Sequence, residues 1–448
     1  MKKILFITLI VIFILSMIGT GVGCKQEIPT TEEVTKEETA KEPETSEEQQ
    51  AKKVVTVWFH EHPPMITLVK ELIVDYEKEN PDVQIDFSYF PHADYETALL
   101  AGFASGEGPD LFDIGDWNIP AYYKKGLIAP IEYESFGFNS MDDLIESWLP
   151  GSLQGYDING DIYGIPMEFN SFSLFINPDY FKEVGLDPEK DYPKTWDELA
   201  DIAVKMKIVE NGVWKREGFD LPYHDPIWTM ITVNAFFAQA GARILSEDGT
   251  KCVLDSPEAL KAFSTYVELA TKSKTGTPDV GMSTPTEPNL DFASGELAMW
   301  LTGPWASPTF AGHPLENTYM VVPTPQMKDG VKDTASIYGW CWSVSSAAKS
   351  TSESWKFINF LSNHQERFLT EVGYVQPRLG WLDSEAAKNF KYLDVFLKDM
   401  EKGTYIERTV IFQEVASAMY KAMQRCVMEG QDVEKSLLEA KTEIESAL

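Results

Sequence analysis

A parallel, doubly wound α/β sheet is the fold that the sequence predicts, and three observations predict it. From Val54 onward, short β-branched runs alternate with amphipathic helical stretches. Strand, helix, strand, helix and strand are completed in about sixty residues, a rhythm that argues for a parallel sheet. The folded part, about 395 of the 448 residues, is long enough for two or three domains of ordinary size.

The elements follow in order. Val54-Val55-Thr56-Val57-Trp58-Phe59 reads as a first strand, bounded by a turn-like His60-Glu61-His62-Pro63-Pro64. Met65 to Lys78 is helical, with Leu68, Val69, Leu72, Ile73 and Tyr76 on one stripe. Val83 to Phe87 alternates as a second strand, a helix runs around Tyr95 to Phe103, and Asp110 to Gly115 is the third strand. In such sheets the ligand crevice lies beyond the carboxyl ends of the strands. That rule places His60 to His62 and Gly115 to Asn118 at one rim.

Tyr156 to Tyr163 is a hairpin turning on Asn159-Gly160. Its acids lack the spacing and terminal Glu of a calcium loop. An apolar strand at Phe172 to Ile176 leads to a helix opening at Asn177-Pro178-Asp179, and Thr195 with Glu198 makes a capping box for the next. A mostly helical region is expected to about Lys274, a loop over Thr275 to Pro288, and a closing amphipathic helical segment over Phe412 to Leu448.

Composition narrows the function. The net charge is −32, and the segment 25–53, with nine Glu against five Lys, accounts for only −4 of it. A body this acidic is poorly suited to gripping nucleic acid or anionic lipid, so no nucleic-acid partner is expected. The 12 Trp leave rings to spare for a ligand. Cys252, Cys341 and Cys426 are widely spaced and form no CxxC or Cys/His cluster, so no metal site is expected. They read as small buried hydrophobes, with one disulfide left open.

The first residues carry an address. Lys2 and Lys3 precede an apolar stretch, Ile4 to Ile18, and small residues run from Gly19 to Gly23, directly before Cys24. This is the pattern of an export signal, residues 1–23, with Cys24 as a lipid acceptor. An uncleaved transmembrane anchor is the competing reading, since about 20 apolar residues suffice to span a bilayer. Gly21 stands where a Leu-type residue is usual, so the position of the cut stays open. Residues 24–53 then form a charged, weakly hydrophobic linker that cannot fold alone and would span roughly 30 Å as a coil.

Four further pieces are the most specific. They are Ala104-Ser105-Gly106-Glu107-Gly108-Pro109-Asp110-Leu111; Tyr163-Gly164-Ile165-Pro166 leading to Asn177-Pro178-Asp179; Pro193-Lys194-Thr195-Trp196-Asp197-Glu198-Leu199; and Phe292 to Met299 running through Gly303-Pro304-Trp305. In this order they resemble the solute-binding proteins of ABC importers, the carbohydrate-type group related to maltose-binding protein, and the likeness extends over nearly all of 54–448. The resemblance implies a two-lobed periplasmic-binding-protein fold of type II, each lobe a doubly wound sheet, closing like a hinge on its ligand. One lobe would hold 54–169 plus about 339–380, and the other 170–338 plus about 381–448. Crossings would fall near Asn170, near Tyr338 and somewhere after Arg378. The implied partners are a carbohydrate, held without a cofactor, and the membrane subunits of an ABC permease. The protein would act as a monomer, tethered through Cys24 on the extracytoplasmic face of a bacterial membrane.

A sugar needs planar hydrogen-bond partners for its hydroxyls and aromatic rings for its C–H faces. Candidates follow residue by residue from the resemblance. Glu61 and His62 are either ligands or a solvated turn. Asp116 and Trp117 follow the third strand at the equivalent rim. Glu168 and Asn170 sit at the first crossing, where an aligned carboxylate is here Asn. Trp228 either faces the cleft or anchors its helix. Trp305 matches the family's stacking tryptophan. Tyr338 and Trp340 lie at the second crossing, with Trp342 assigned to the core. Arg378 binds a hydroxyl or carboxylate, or locks the hinge through an ion pair.

Catalysis finds little support. His60-Glu61-His62 lacks the helical two-histidine spacing of a zinc protease, and Gly106-Glu107-Gly108 lacks the rest of a phosphate cradle. No nucleophile elbow stands at a strand-to-helix turn. The chain is therefore read as a binder rather than an enzyme. A carboxylate pair for glycoside hydrolysis stays open as the alternative, as does a non-sugar solute such as a polyamine.

Overall fold

The computed structural model describes residues 52–220, 225–276 and 287–448. The expected signal, Cys24, the linker through residue 51 and most of the expected loop after Thr275 lie outside them. Strand β1 (Lys53–His60) is followed by α1 (Pro63–Glu79), β2 (Val83–Phe90), α2 (His92–Ser105) and β3 (Leu111–Gly115). β1 pairs in parallel with β2 and with β3, as the alternation requires. Helix α1 buries Met65, Ile66, Leu68, Val69, Leu72 and Tyr76, one stripe at helical spacing against the sheet. His60 belongs to β1 rather than to the turn expected there, because its backbone continues the register to Phe90.

A return strand, Trp340–Val344, then pairs antiparallel with β3, and Ile165–Pro166 completes a five-stranded sheet. A second sheet is built on Ser173–Ile176, flanked antiparallel by Met299–Thr302 and Met320–Val322. Between the two lies a small sheet of Asn170–Ser171, Ser336–Tyr338 and Thr404–Tyr405. Gly339 alone separates the middle strand of this small sheet from the return strand of the large one. The chain thus passes between two α/β halves on segments already held by sheet hydrogen bonds.

Two local expectations change. The region expected to be helical to Lys274 contains a hairpin, Ile208–Glu210 against Val213–Arg216. Its turn, Asn211-Gly212, has φ of 53° and 78°, the left-handed pair that a tight hairpin needs. The closing segment is two helices, Phe412–Met428 and Val433–Glu445, because Gly430 at φ 69° interrupts the ladder. The capping box at Thr195 forms its first arm, Glu198 N–H to Thr195 Oγ1 at 3.2 Å. The Glu198 carboxylate instead accepts from Lys194 N–H at 2.7 Å, one residue before the cap. Cys252, Cys341 and Cys426 are buried free thiols. Among the described residues no helix is long and apolar enough to cross a membrane.

Candidate functional site

The carboxyl end of β1 alternates inward and outward. His60 is buried, Glu61 is exposed and His62 is half-buried, the period of two that a strand imposes. His60 donates from its backbone to Asp113 Oδ1 at 3.0 Å and joins the other carboxylate oxygen through Nδ1 at 2.6 Å. Its ring stacks on Trp340 with centroids 4.1 Å apart. His62 stacks on Tyr374 at 5.4 Å and meets the edge of Trp305 at 6.2 Å, although Trp305 belongs to the opposite half. Glu61 is exposed and makes no side-chain contact with this group among the described residues.

At the end of β3, Gly115 lets the Trp117 ring lie against the backbone, where a Cβ would meet it at 2.1 Å. Trp117 contacts Trp340 at 5.6 Å and Tyr338 at 6.4 Å. Asp116 is fully buried, pairs with Arg408, and keeps its Oδ1 without a partner among the described residues. Burial raises the Asp116 carboxyl above its ordinary value, an effect that the Arg408 charge only partly offsets.

The small central sheet contributes Asn170 and Tyr338, with Glu168 just before it. Asn170 Nδ2 donates to the Glu168 carboxylate, while Asn170 Oδ1 has no partner among the described residues. Burial, with the charges of Asp116 and Asp113 added, pushes the Glu168 carboxyl up to about 8 against the pull of the Asn170 bond. Tyr338 accepts the Trp305 indole N–H at 2.9 Å. The other half supplies Trp305, edge-on to Trp228 at 5.6 Å and to Trp300 at 6.1 Å. Trp228 also stacks on Phe172 at 5.4 Å, and its backbone N–H closes the helix cap on Asp225 at 2.9 Å. It therefore anchors its helix and faces the other tryptophans at once.

His62, Asp116, Trp117, Glu168, Asn170, Trp228, Trp305, Tyr338 and Trp340 are thus brought into one buried group where the halves meet. Arg378 is not. Its guanidinium bonds the Ser362 hydroxyl at 2.9 Å and Asn359 Oδ1 at 3.3 Å, so it ties its segment to a neighbouring helix. No ion pair involves Arg378 among the described residues, which corrects the hinge-lock expectation. His60, Asp113, Tyr374 and Arg408 join the group without having been named as ligand candidates from the sequence. Only His60 left a signal there, through the period of two in β1. Trp342 is fully buried against Phe368, as assigned.

Burial also lowers the His62 imidazole to about 3, helped by the charges of His60 and His92. At neutral pH the group therefore offers a neutral imidazole and a largely neutral Glu168. A groove of about 520 Å³, lined by residues including Tyr123, Lys124, Gln154 and Val410, reaches the group only through Arg408. Among the described residues no cluster of His, Cys, Asp or Glu could hold a metal ion.

Residues 62–367 match the family model of the bacterial extracellular solute-binding proteins. A maltotriose-binding protein of Pyrococcus abyssi is 26% identical over 348 residues, 75% of this chain and 69% of that protein. The sn-glycerol-3-phosphate-binding periplasmic protein UgpB of Escherichia coli K12 is 28% identical over 265 residues, 56% of each chain. Among solved structures, maltose-bound MalE3 of T. maritima superposes with a TM-score of 0.78 at 19% identity, covering 88% of this chain and 100% of that one.

Proposed function

Because the chain belongs to the bacterial extracellular solute-binding proteins, we propose that it captures a neutral sugar or oligosaccharide between its two halves and delivers it to an ABC permease. One observation carries the reading. Trp305, edge-on to Trp228, meets His62 and Tyr338 beside buried polar groups whose Asp116 Oδ1, Asn170 Oδ1 and His62 Nε2 lack partners among the described residues. Hydroxyls both donate and accept, and ring C–H faces stack on indoles, so one ligand class satisfies both. An anionic solute fits poorly, since Glu168 is already raised by burial, with the charges of Asp116 and Asp113 adding to it.

A cationic solute is the second reading, favoured by one observation: the buried Glu168 has no cationic partner among the described residues. In the transport reading the chain catalyses nothing. The lobes would comprise 54–169 with about 339–380, and 170–338 with about 381–448. Cys24 would carry the lipid that holds a monomer at the outer face of the membrane, where tethering raises its local concentration around the permease.

Thermal shift with maltotriose, sn-glycerol 3-phosphate and spermidine separates the readings. Stabilisation by the sugar alone is expected; a shift with spermidine and none with any neutral sugar overturns the proposal. The lipid is checked by mass spectrometry of the protein from its native membrane, where a mature chain beginning elsewhere than at an acylated Cys24 removes it.

A further inference from the structure

The segment leading to Arg378 holds its backbone on both sides. Phe169 N–H donates to Val375 O at 2.8 Å, Leu149 N–H to Pro377 O at 2.7 Å, and the Trp381 indole to Gln376 O at 3.0 Å. Gln376 is 1% exposed, yet neither Nε2 nor Oε1 of its side chain has a partner among the described residues. By contrast, the buried Gln239 amide is used at both ends, on Trp196, Met327, Pro325 and Thr334, and Asn170 donates to Glu168. Tyr374, two residues before Gln376, faces His62 across a stacked contact. The bond from Phe169, which lies between Glu168 and Asn170, to Val375 O sets Gln376 beside that pair, two residues from the Tyr374 ring that stacks on His62.

We propose that Gln376 is a ligand-binding residue that sets specificity, its carboxamide gripping two adjacent hydroxyls of the solute. One hydroxyl donates to Oε1 while its neighbour accepts from Nε2–H. The match survives a flip of the amide, because each hydroxyl serves in either role. The rigid backbone means that little freedom is lost when the pair forms. This inference rests on the sugar reading for the ligand, but its structural half stands alone. A buried amide without partners weakens the free protein, so replacing it by an apolar side chain of similar length costs the fold nothing.

The test uses Gln376→Met, with Gln376→Leu as the second variant, against the wild-type chain. Calorimetry with maltotriose, lactose and mannobiose selects the tightest sugar, and ligand-free melting is recorded in parallel. The expected result is affinity lowered about tenfold or more, with a melting temperature equal to or above wild type. Unchanged affinity overturns the proposal, as does a fall in melting temperature of about 2 °C or more in both variants. Failure of both to fold overturns it as well, since the amide would then be structural. If no sugar binds the wild type, the sugar reading falls; Gln376 is then decided by melting alone, where an undiminished value supports it and a fall removes it.

Discussion

The two walls of the site use different chemistry. From the ends of β1 and β3 come His60, His62, Asp113 and Asp116, polar groups held by hydrogen bonds and ion pairs. From the opposite half come Trp228, Trp300 and Trp305, which do not titrate, the first two each edge-on to Trp305. The small central sheet lies between, with Glu168 and Asn170 bonded to each other and Tyr338 bonded to Trp305. Polar side chains gather where parallel strands end, since carbonyls and loops there are already turned toward the crevice. The rings come from three elements, Trp228 from the helix Pro226–Ala240, Trp305 from the helical turn Pro304–Phe310 and Trp300 from the strand Met299–Thr302. One wall should therefore respond to pH, and the other to loss of area.

The largest expected effect falls on the titrating groups, Glu168 beside the central sheet and His62 of the polar wall. Glu168 is raised from 4.5 to about 8, so the stability it contributes is complete below pH 4.5 and is lost as pH rises through 8. His62 is lowered from 6.5 to about 3, so its contribution is complete above pH 6.5 and is lost as pH falls toward 3. Burial depresses the His92 imidazole in the same way, and the charge of His60 adds to it. With two imidazole slopes against one carboxylate slope below pH 6.5, these groups place maximal stability near pH 6.5. Glu168→Gln should remove the alkaline arm, sparing about 3 to 5 kcal/mol of the loss at pH 8.5. Urea unfolding at pH 5.5 and 8.5 reads this directly, and parallel pH slopes for variant and wild type would erase the contrast between the walls.

On the aromatic side, Trp305→Ala should weaken sugar binding by about 2 kcal/mol or more, as removal of a buried ring at the centre of an interface can. Its effect should be the same at pH 5.5 and pH 8. Calorimetry at both values decides the matter: a loss that doubles or vanishes with pH would mean that Trp305 acts through Tyr338 and Glu168 rather than by stacking.

Gly373 tests how closely the walls must approach. It lies at φ 79°, and a Cβ there would meet Pro304 O and Trp305 Cα at 2.6 Å. Gly373→Ala should reduce affinity by about 1 kcal/mol, through strain in the left-handed region and through separation of the halves. Small-angle scattering with saturating sugar should show a larger radius of gyration than wild type. An unchanged radius would place the cost in local strain alone.

Much of the first half of the fold was legible because its signals are local. The β1 run, the α1 stripe and the Asn159-Gly160 turn each depend on neighbours in sequence. The hairpin at Asn211-Gly212 was equally local and was passed over because helical segments surround it. Gln376 and Arg408 left no such mark. Arg408 meets Asp116 across 292 positions of sequence, and the idleness of the Gln376 amide exists only once every neighbour is placed. Pairings of this kind are properties of the closed contact map, which spacing cannot reveal.

The smallest expected effect concerns Glu61, the residue between two inward histidines. Its side chain is exposed, and its backbone N–H is already spent on Phe90 O at 2.7 Å. An exposed carboxylate in water contributes little to a buried ligand, since solvent screens it. Glu61→Ala should therefore leave sugar affinity within about 0.5 kcal/mol of wild type, whereas His62→Ala, one position on, removes a ring that touches both walls. A loss at Glu61 comparable to that at His62 would mean that β1 turns over when ligand binds, and that the division of labour between the walls belongs to one conformation only.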